Sequence, residues 1–242
     1  MDAIVVKGLT KKYKDVIALD NLSLSVHKGE LFSLLGVNGA GKTTTIKMLS
    51  CLVQPTAGDA FLNGKSICRE SAEIKRFIGV SPQETAIAPG LSVRENLDLM
   101  CGVHGIAKEK HCRKIDELTK LLCLQSVLEK KAGKLSGGWQ RRLSIAMALI
   151  SEPEILFLDE PTLGLDVVAR SDLWDMIRAL KGKITIVLTT HYMEEAEALS
   201  DRIAIMKNGR LLICDTTNKI KEAANEESLE RAFIQIVKGD TI

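Results

Sequence analysis

Four short stretches of the chain carry residues suited to phosphate chemistry, and a fifth offers a second anion site. "GVNGAGKT", Gly36 to Thr43, fits the pattern of a glycine, four residues, then Gly41-Lys42-Thr43. It lies between an apolar strand pattern and the helical pattern "TTIKMLSCL", the context in which such a loop holds a nucleoside triphosphate. The glycines let backbone N–H groups curl around phosphate oxygens, and the following helix adds partial positive charge. Lys42 is expected to reach the β- and γ-phosphates, and Thr43 to offer a hydroxyl to Mg2+. The candidate binding residues are therefore Gly36, Val37, Asn38, Gly39, Ala40, Gly41, Lys42, Thr43 and Thr44.

"EILFLDEPTLGLD" sets an apolar run before Asp159 and Glu160, which puts both carboxylates at the carboxyl end of a buried strand. Ligands of open α/β sheets bind at that edge. Asp159 there can hold Mg2+ through water. Glu160, facing the other way along the pleat, can orient or deprotonate an attacking water. "ITIVLTT" ends at His191, a third strand end from which an imidazole can reach a γ-phosphate. Gln83 closes "FIGVSPQ" beside a Pro turn, where its amide oxygen can ligand Mg2+ or water, although a plain surface loop fits the same spacing. In "KLSGGWQRRL", a serine and two glycines open a helix at Leu135, Ser136, Gly137 and Gly138, the composition of another anion-binding N-terminus. "HYMEEAEAL" lacks the two-histidine spacing of a zinc site.

The elements that must position these residues follow from the hydrophobic pattern. Val-, Ile- and Leu-rich runs at Glu30 to Leu35, Ile155 to Leu158 and Ile184 to Thr189 alternate with helical patterns, which gives an α/β fold with a mainly parallel sheet. Asn63-Gly64 and Asn208-Gly209, each between apolar runs, predict hairpins and hence an antiparallel β portion. From about residue 84 to 150 the strand signals give way to "SVRENLDLM" and "KIDELTKLLCL", a helical insert with apolar residues three and four apart. After residue 215 the pattern predicts a polar connector and then a docking helix at Ser228 to Val237, with Leu229, Phe233 and Ile236 on one face. The expected division is a main domain over 1–215 and a C-terminal segment over 216–242.

Composition narrows the function. Of 242 residues, 33 are basic and 31 acidic, so there is no basic stripe of the kind nucleic acid requires, and no nucleic-acid partner is expected. The six cysteines form no CxxC pair and lie mostly in apolar patterns, which argues against both zinc and a disulfide framework. Nowhere does an uncharged apolar run reach the roughly 18 residues that a membrane helix needs.

Taken together and in this order, "GVNGAGKT", "SPQ", "LSGG", "ILFLDEPTLGLD" and "TTH" resemble the ATP-binding subunit of an ABC transporter. The resemblance implies a P-loop NTPase, RecA-like core and an ATPase that uses ATP and Mg2+. It implies that Glu160 is the catalytic carboxylate, His191 the γ-phosphate switch, Gln83 the Mg2+-sensing loop that speaks to a membrane partner, and Tyr13 the aromatic that stacks on adenine. It further implies that Leu135, Ser136, Gly137, Gly138 and Trp139 face the nucleotide of a second subunit packed head to tail, a copy of this chain or a homologous one. Asp166 is expected at that junction. "LTKKYKDVIALDNLSLSVHKGE", "THYMEEAEALSDRIAIMKNGR" and "SLERAFIQIVKGD" are similar to the export branch, which implies a peripheral ATPase on the cytoplasmic face of the membrane, bound to a membrane-spanning subunit. A soluble cassette serving cofactor assembly is the alternative. Trp139 stands where the family commonly has glutamine. Its row with Leu143, Met147 and Ile150 reads as a core anchor, and an indole in the dimer seam is the other reading.

Overall fold

The computed structural model describes Met1–Gly239. Its first half runs β1 Asp2–Tyr13, β2 Val16–His27, β3 Leu31–Leu35, α1 Lys42–Leu49, β4 Ala57–Leu62, β5 Lys65–Ser66, α2 Ser71–Ile74, β6 Ile78–Ser81, α3 Val93–Val103 and α4 His111–Leu121. There follow α5 Gly137–Leu149, β7 Ile155–Asp159, α6 Val167–Leu180, β8 Thr185–Thr190, α7 Met193–Leu199, β9 Arg202–Lys207, β10 Arg210–Asp215, α8 Thr217–Ala224 and α9 Leu229–Gly239. These form two compact units: Met1–Lys75 together with the chain from Lys181 onward, and Arg76–Leu180.

In the first unit β3 pairs in parallel with both β8 and β9, and β10 closes antiparallel on β9. Every residue of β3 and of β8 is buried, which is why both read as continuous apolar runs rather than as alternating ones. A separate antiparallel sheet has the order β2-β1-β4-β5. Both Asn-Gly pairs make the hairpin turns predicted for them. Asn63 and Gly64 have φ of 48° and 81°, and Asn208 and Gly209 have 50° and 79°, the left-handed pairs whose twist matches that of antiparallel strands.

The C-terminal region holds a helix that the sequence pattern did not predict. α8 occupies what reads as a polar connector; Thr216 accepts a hydrogen bond from the Lys219 amide, and only Ile220 and Ala224 are buried. Two apolar residues four apart are too few to signal a helix against a charged background. On α9, Leu229, Ala232 and Phe233 pack with Ile203 and Ile205 of β9 and with Ala196 of α7. The end of the predicted C-terminal segment, residues 240–242, lies outside the described residues.

In the second unit β6 and β7 form a parallel pair accompanied by the helices α3 to α6. The predicted helical stretch begins later than expected, because the chain from residue 84 to 92 is irregular. Helix α3 starts at a reciprocal cap: Ser92 Oγ accepts from the Glu95 amide at 3.1 Å, and the Glu95 carboxylate accepts from the Ser92 amide at 2.6 Å. α4 is fixed to α3 by a histidine. Nδ1 of the buried His111 lies 2.7 Å from Asp98 Oδ1, and Nε2 lies 2.9 Å from the Ile106 carbonyl. Both partners are acceptors, so both ring nitrogens can donate only when the ring is protonated, and the site favours the imidazolium.

The Asp98 carboxylate, then the Ile106 carbonyl, raise the His111 pKa above its ordinary 6.5, with burial and, less, Lys108 opposing. A raised folded-state pKa means that this contribution to stability is complete below about pH 6.5 and is lost as pH rises through the folded value. Melting temperatures of wild type and His111→Gln across that range check this. The advantage of the wild type should shrink as pH rises, and a difference independent of pH would exclude the imidazolium.

Candidate nucleotide-binding site

The glycine loop belongs to the first unit, between β3 and α1. A Cβ on Gly36 would lie 2.5 Å from the Met206 carbonyl oxygen and 2.8 Å from Ala40 Cβ, so no larger residue fits. Gly41 has φ of 100°, and a Cβ there would meet the Ala18 carbonyl at 2.7 Å. Gly41 is also the N-cap residue of α1 and, having no side chain, contributes no capping bond; the first turn carries no acidic residue. The N-terminus of α1 therefore offers both hydrogen-bond donors and positive potential to an anion. Lys42 is 5% exposed, and its ammonium donates to the carbonyls of Gly36 at 2.6 Å and Val37 at 3.3 Å. Thr43 and Thr44 are half-buried, whereas Val37, Asn38 and Gly39 are exposed at the tip. Ala40 is buried, and its carbonyl accepts from the Gly209 amide at 3.1 Å, tying the loop to the second Asn-Gly turn.

Two further candidates lie in the same unit. Tyr13 ends β1 with its ring exposed and the Lys11 ammonium 5.0 Å from its centroid. His191 follows the last residue of β8, half-buried, its ring centroid 4.1 Å from that of Tyr192.

The remaining candidates belong to the second unit. Asp159 is the last residue of β7, and both it and Glu160 are buried. The expectation for Glu160 rests on alternation along the pleat, which the strand carries only as far as Asp159. Glu160 lies beyond β7, with φ of 49°, so a left-handed backbone rather than the pleat sets its direction. That region costs a non-glycine residue of order 1–3 kcal/mol and is found most often where function constrains the chain. Turn bonds from the Leu163 amide to the Glu160 carbonyl and from the Leu165 amide to the Thr162 carbonyl carry the chain to Asp166, whose carboxylate accepts from the Ala169 amide at 2.8 Å and opens α6.

β6 ends at Ser81, so Gln83 stands two residues beyond the strand with an exposed side chain. Its backbone is held nonetheless. The guanidinium of Arg141, 5% exposed, donates to the carbonyls of Pro82 and Gln83, each at 2.7 Å. Leu135 is buried, and Ser136 caps α5 in extended geometry without spending its hydroxyl on a capping bond. Gly137 is exposed beside it. Trp139 is half-buried under the Arg142 guanidinium, 4.8 Å from its ring, while Leu143, Met147 and Ile150 further along the helix are buried. Arg142 also pairs with Asp172 of α6 at 2.8 Å. Neither arginine stood out in the sequence, where a basic pair in a helix reads as a solvated face.

A glycine loop shaped by two forbidden Cβ positions, an uncapped helix end and a buried lysine define a P-loop nucleotide-binding protein. The family described as ABC transporter matches residues 19–163, and one described as AAA domain, putative AbiEii toxin, matches residues 131–196. The chain belongs to the ABC transporter family and is an ABC-type ATPase cassette. The daunorubicin resistance ATP-binding protein DrrA3 of Streptomyces coeruleorubidus is 40% identical over 229 residues, 94% of this chain and 72% of that protein. A solved ATP-binding subunit of an ABC transporter superposes with a TM-score of 0.86 at 28% identity, covering 97% of this chain and 99% of that one. A dimeric ATP-binding cassette in a post-hydrolysis state with ADP and Pi superposes with a TM-score of 0.81, also at 28% identity, covering 88% and 98%. Among the described residues no helix is long and apolar enough to cross a membrane.

The loop geometry separates two glycines. Gly36→Ala must move backbone, which costs about 1–3 kcal/mol by overpacking, and it should abolish nucleotide binding. Gly39, with φ of 82°, has nothing within 4 Å of a Cβ. Gly39→Ala should therefore cost only the left-handed penalty of about 1–2 kcal/mol and retain binding. Denaturant melts and nucleotide titrations of the two variants check the order.

Proposed function

We propose that this chain binds and hydrolyses ATP to power export through a separate membrane-spanning partner, working from the cytoplasmic face of the membrane. The observation that carries this reading is the buried Lys42 ammonium at the uncapped start of α1, a cationic pocket built for a polyphosphate. The drug-resistance name borne by a relative 40% identical supports transport, and export, over service in a cofactor-assembly machine.

In this reading Lys42 and the amides of Gly36 to Thr44 hold the phosphates, and Tyr13 stacks on the adenine. The described residues include no cluster of three or more His, Cys, Asp or Glu side chains able to hold a metal. By the motifs that hold them, the hydroxyl of Thr43, the amide of Gln83 and, through water, the carboxylate of Asp159 are assigned to Mg2+. Such a sparse set suits Mg2+, which keeps most of its ligands from phosphate and water. When bound, Mg2+ would neutralise charge developing on the β- and γ-oxygens. Glu160 accepts the proton of the attacking water as the new P–O bond forms and the bond to the ADP oxygen breaks. His191 donates a hydrogen bond to the γ-phosphate.

Ser136, Gly137 and Gly138 serve the nucleotide of a second subunit, a copy of this chain or a homologue, with Asp166 and the outer face of Trp139 at the seam. Ser136 Oγ, unspent in its own helix cap, supports that role, as does the dimeric state of a solved relative. The partner reading draws support from a cavity of about 230 Å3 beside the Gln83 loop, lined by Val80, Pro82, Ala86, Met100 and Met147 with His104 and Ser144, large enough to receive an apolar side chain of a membrane subunit.

Lys42→Ala should remove ATP binding, whereas Glu160→Gln should leave binding intact and slow turnover about 100-fold or more, on the order of 3 kcal/mol of barrier. Nucleotide titration and phosphate release on the two purified variants test both roles. Undiminished turnover by Glu160→Gln would remove Glu160 from the reaction.

A further inference from the structure

Helix α5 and strand β6 meet along a row of three contacts that ends at the Gln83 loop. A Cβ on Gly79 would lie 2.3 Å from the Ala148 carbonyl, so strand and helix backbones approach as closely as a glycine permits. Two residues on, Ser81 Oγ and Ser144 Oγ share a buried hydrogen bond of 2.9 Å. The row closes with Arg141, whose fork spans the consecutive carbonyls of Pro82 and Gln83 at 2.7 Å each. The helix positions 148, 144 and 141 fall on one face, and the strand side advances through 79, 81 and 82–83 in the opposite direction. Arg141 lies one turn from Gly137, the first residue of α5.

From this register we infer that Arg141 is a positioning residue, fixing the backbone of the Gln83 loop to the helix that opens with Ser136-Gly137-Gly138. Buried charged donors to two carbonyls are among the stronger hydrogen bonds in a protein, and a planar fork fixes direction as well as distance. The exposed Gln83 side chain is thus carried on a backbone that cannot shift without α5. A displacement at Gln83 reaches the first amides of α5 through 2.7 Å bonds rather than through loose packing. The inference rests on the ATPase reading only for its consequence in turnover. The clamp itself is a statement about backbone mobility.

The test uses the full chain with Arg141→Met, which keeps the apolar stem and loses all donors, and Arg141→Lys, which keeps the charge but replaces the planar fork with a single ammonium nitrogen. Hydrogen exchange at the amides of residues 83–86 should be about 10-fold or more faster in Arg141→Met, intermediate in Arg141→Lys and unchanged in Gln83→Ala. In turnover, Arg141→Met should lower kcat about 10-fold with the KM for ATP within about twofold of wild type. Adding Gln83→Ala to it should cost little more, because both changes disable one unit. Unaltered exchange in folded Arg141→Met, or losses from Arg141 and Gln83 that multiply independently, would overturn the inference. If Arg141→Met does not fold, the same cycle with Arg141→Lys decides by the same criteria. A wild-type chain that turns over no ATP would instead refute the proposed function, leaving the exchange result to judge the clamp.

Discussion

A lysine ammonium almost wholly removed from water, held against the positive end of a helix, is the constraint around which the first unit is built. Burying a charge costs several kcal/mol unless polar partners replace its hydration. The carbonyls of Gly36 and Val37 supply such partners to Lys42. The start of α1 adds partial positive charge of the same sign, so the loop carries more positive potential than it neutralises by itself. A polyphosphate relieves that imbalance. The arrangement requires that the loop pass within reach of Met206 and Ala18, where no Cβ fits, and that β3 deliver it from a fully buried position. The second Asn-Gly turn holds the loop from the other side through Gly209.

Much of this was legible in the sequence, for a physical reason. Strands buried on both faces must be apolar throughout, so β3, β7 and β8 announced themselves. Asn-Gly pairs adopt paired left-handed conformations at small cost, so both hairpins did too. The glycine loop reads clearly because its residue types are dictated by close backbone approach. The helix at Thr217–Ala224 failed to register, since two buried residues suffice to dock it and the remainder face water.

The parts that escaped detection depend on partners distant in sequence or on a single backbone angle. Arg141 finds carbonyls 58 and 59 residues away, and a carbonyl has no residue identity to read. The imidazolium form of His111 is favoured by one carboxylate and one carbonyl that only the fold brings to it. The left-handed turn at Glu160 is invisible in a glutamate, and it replaces an argument from strand alternation that holds only as far as Asp159. Strain of this kind survives where the surroundings over-determine it; here a buried strand precedes Glu160 and a proline follows it.

The two helix N-termini set the central claim. One chain carries both a cationic P-loop and a Ser-Gly-Gly helix start whose hydroxyl and amides are unspent, and a single bound nucleotide does not need both from the same molecule. In the proposed function the second serves the nucleotide of a neighbouring chain. The most direct test is the solution mass of the Glu160→Gln chain with Mg2+ and ATP, measured across protein concentration alongside bound nucleotide. The account predicts an ATP-dependent particle of two chains holding two ATP, lost when Ser136 is replaced by a bulky acidic residue. A chain that binds ATP stoichiometrically yet stays monomeric at every concentration, with no homologous ATPase subunit pairing with it, would contradict the account.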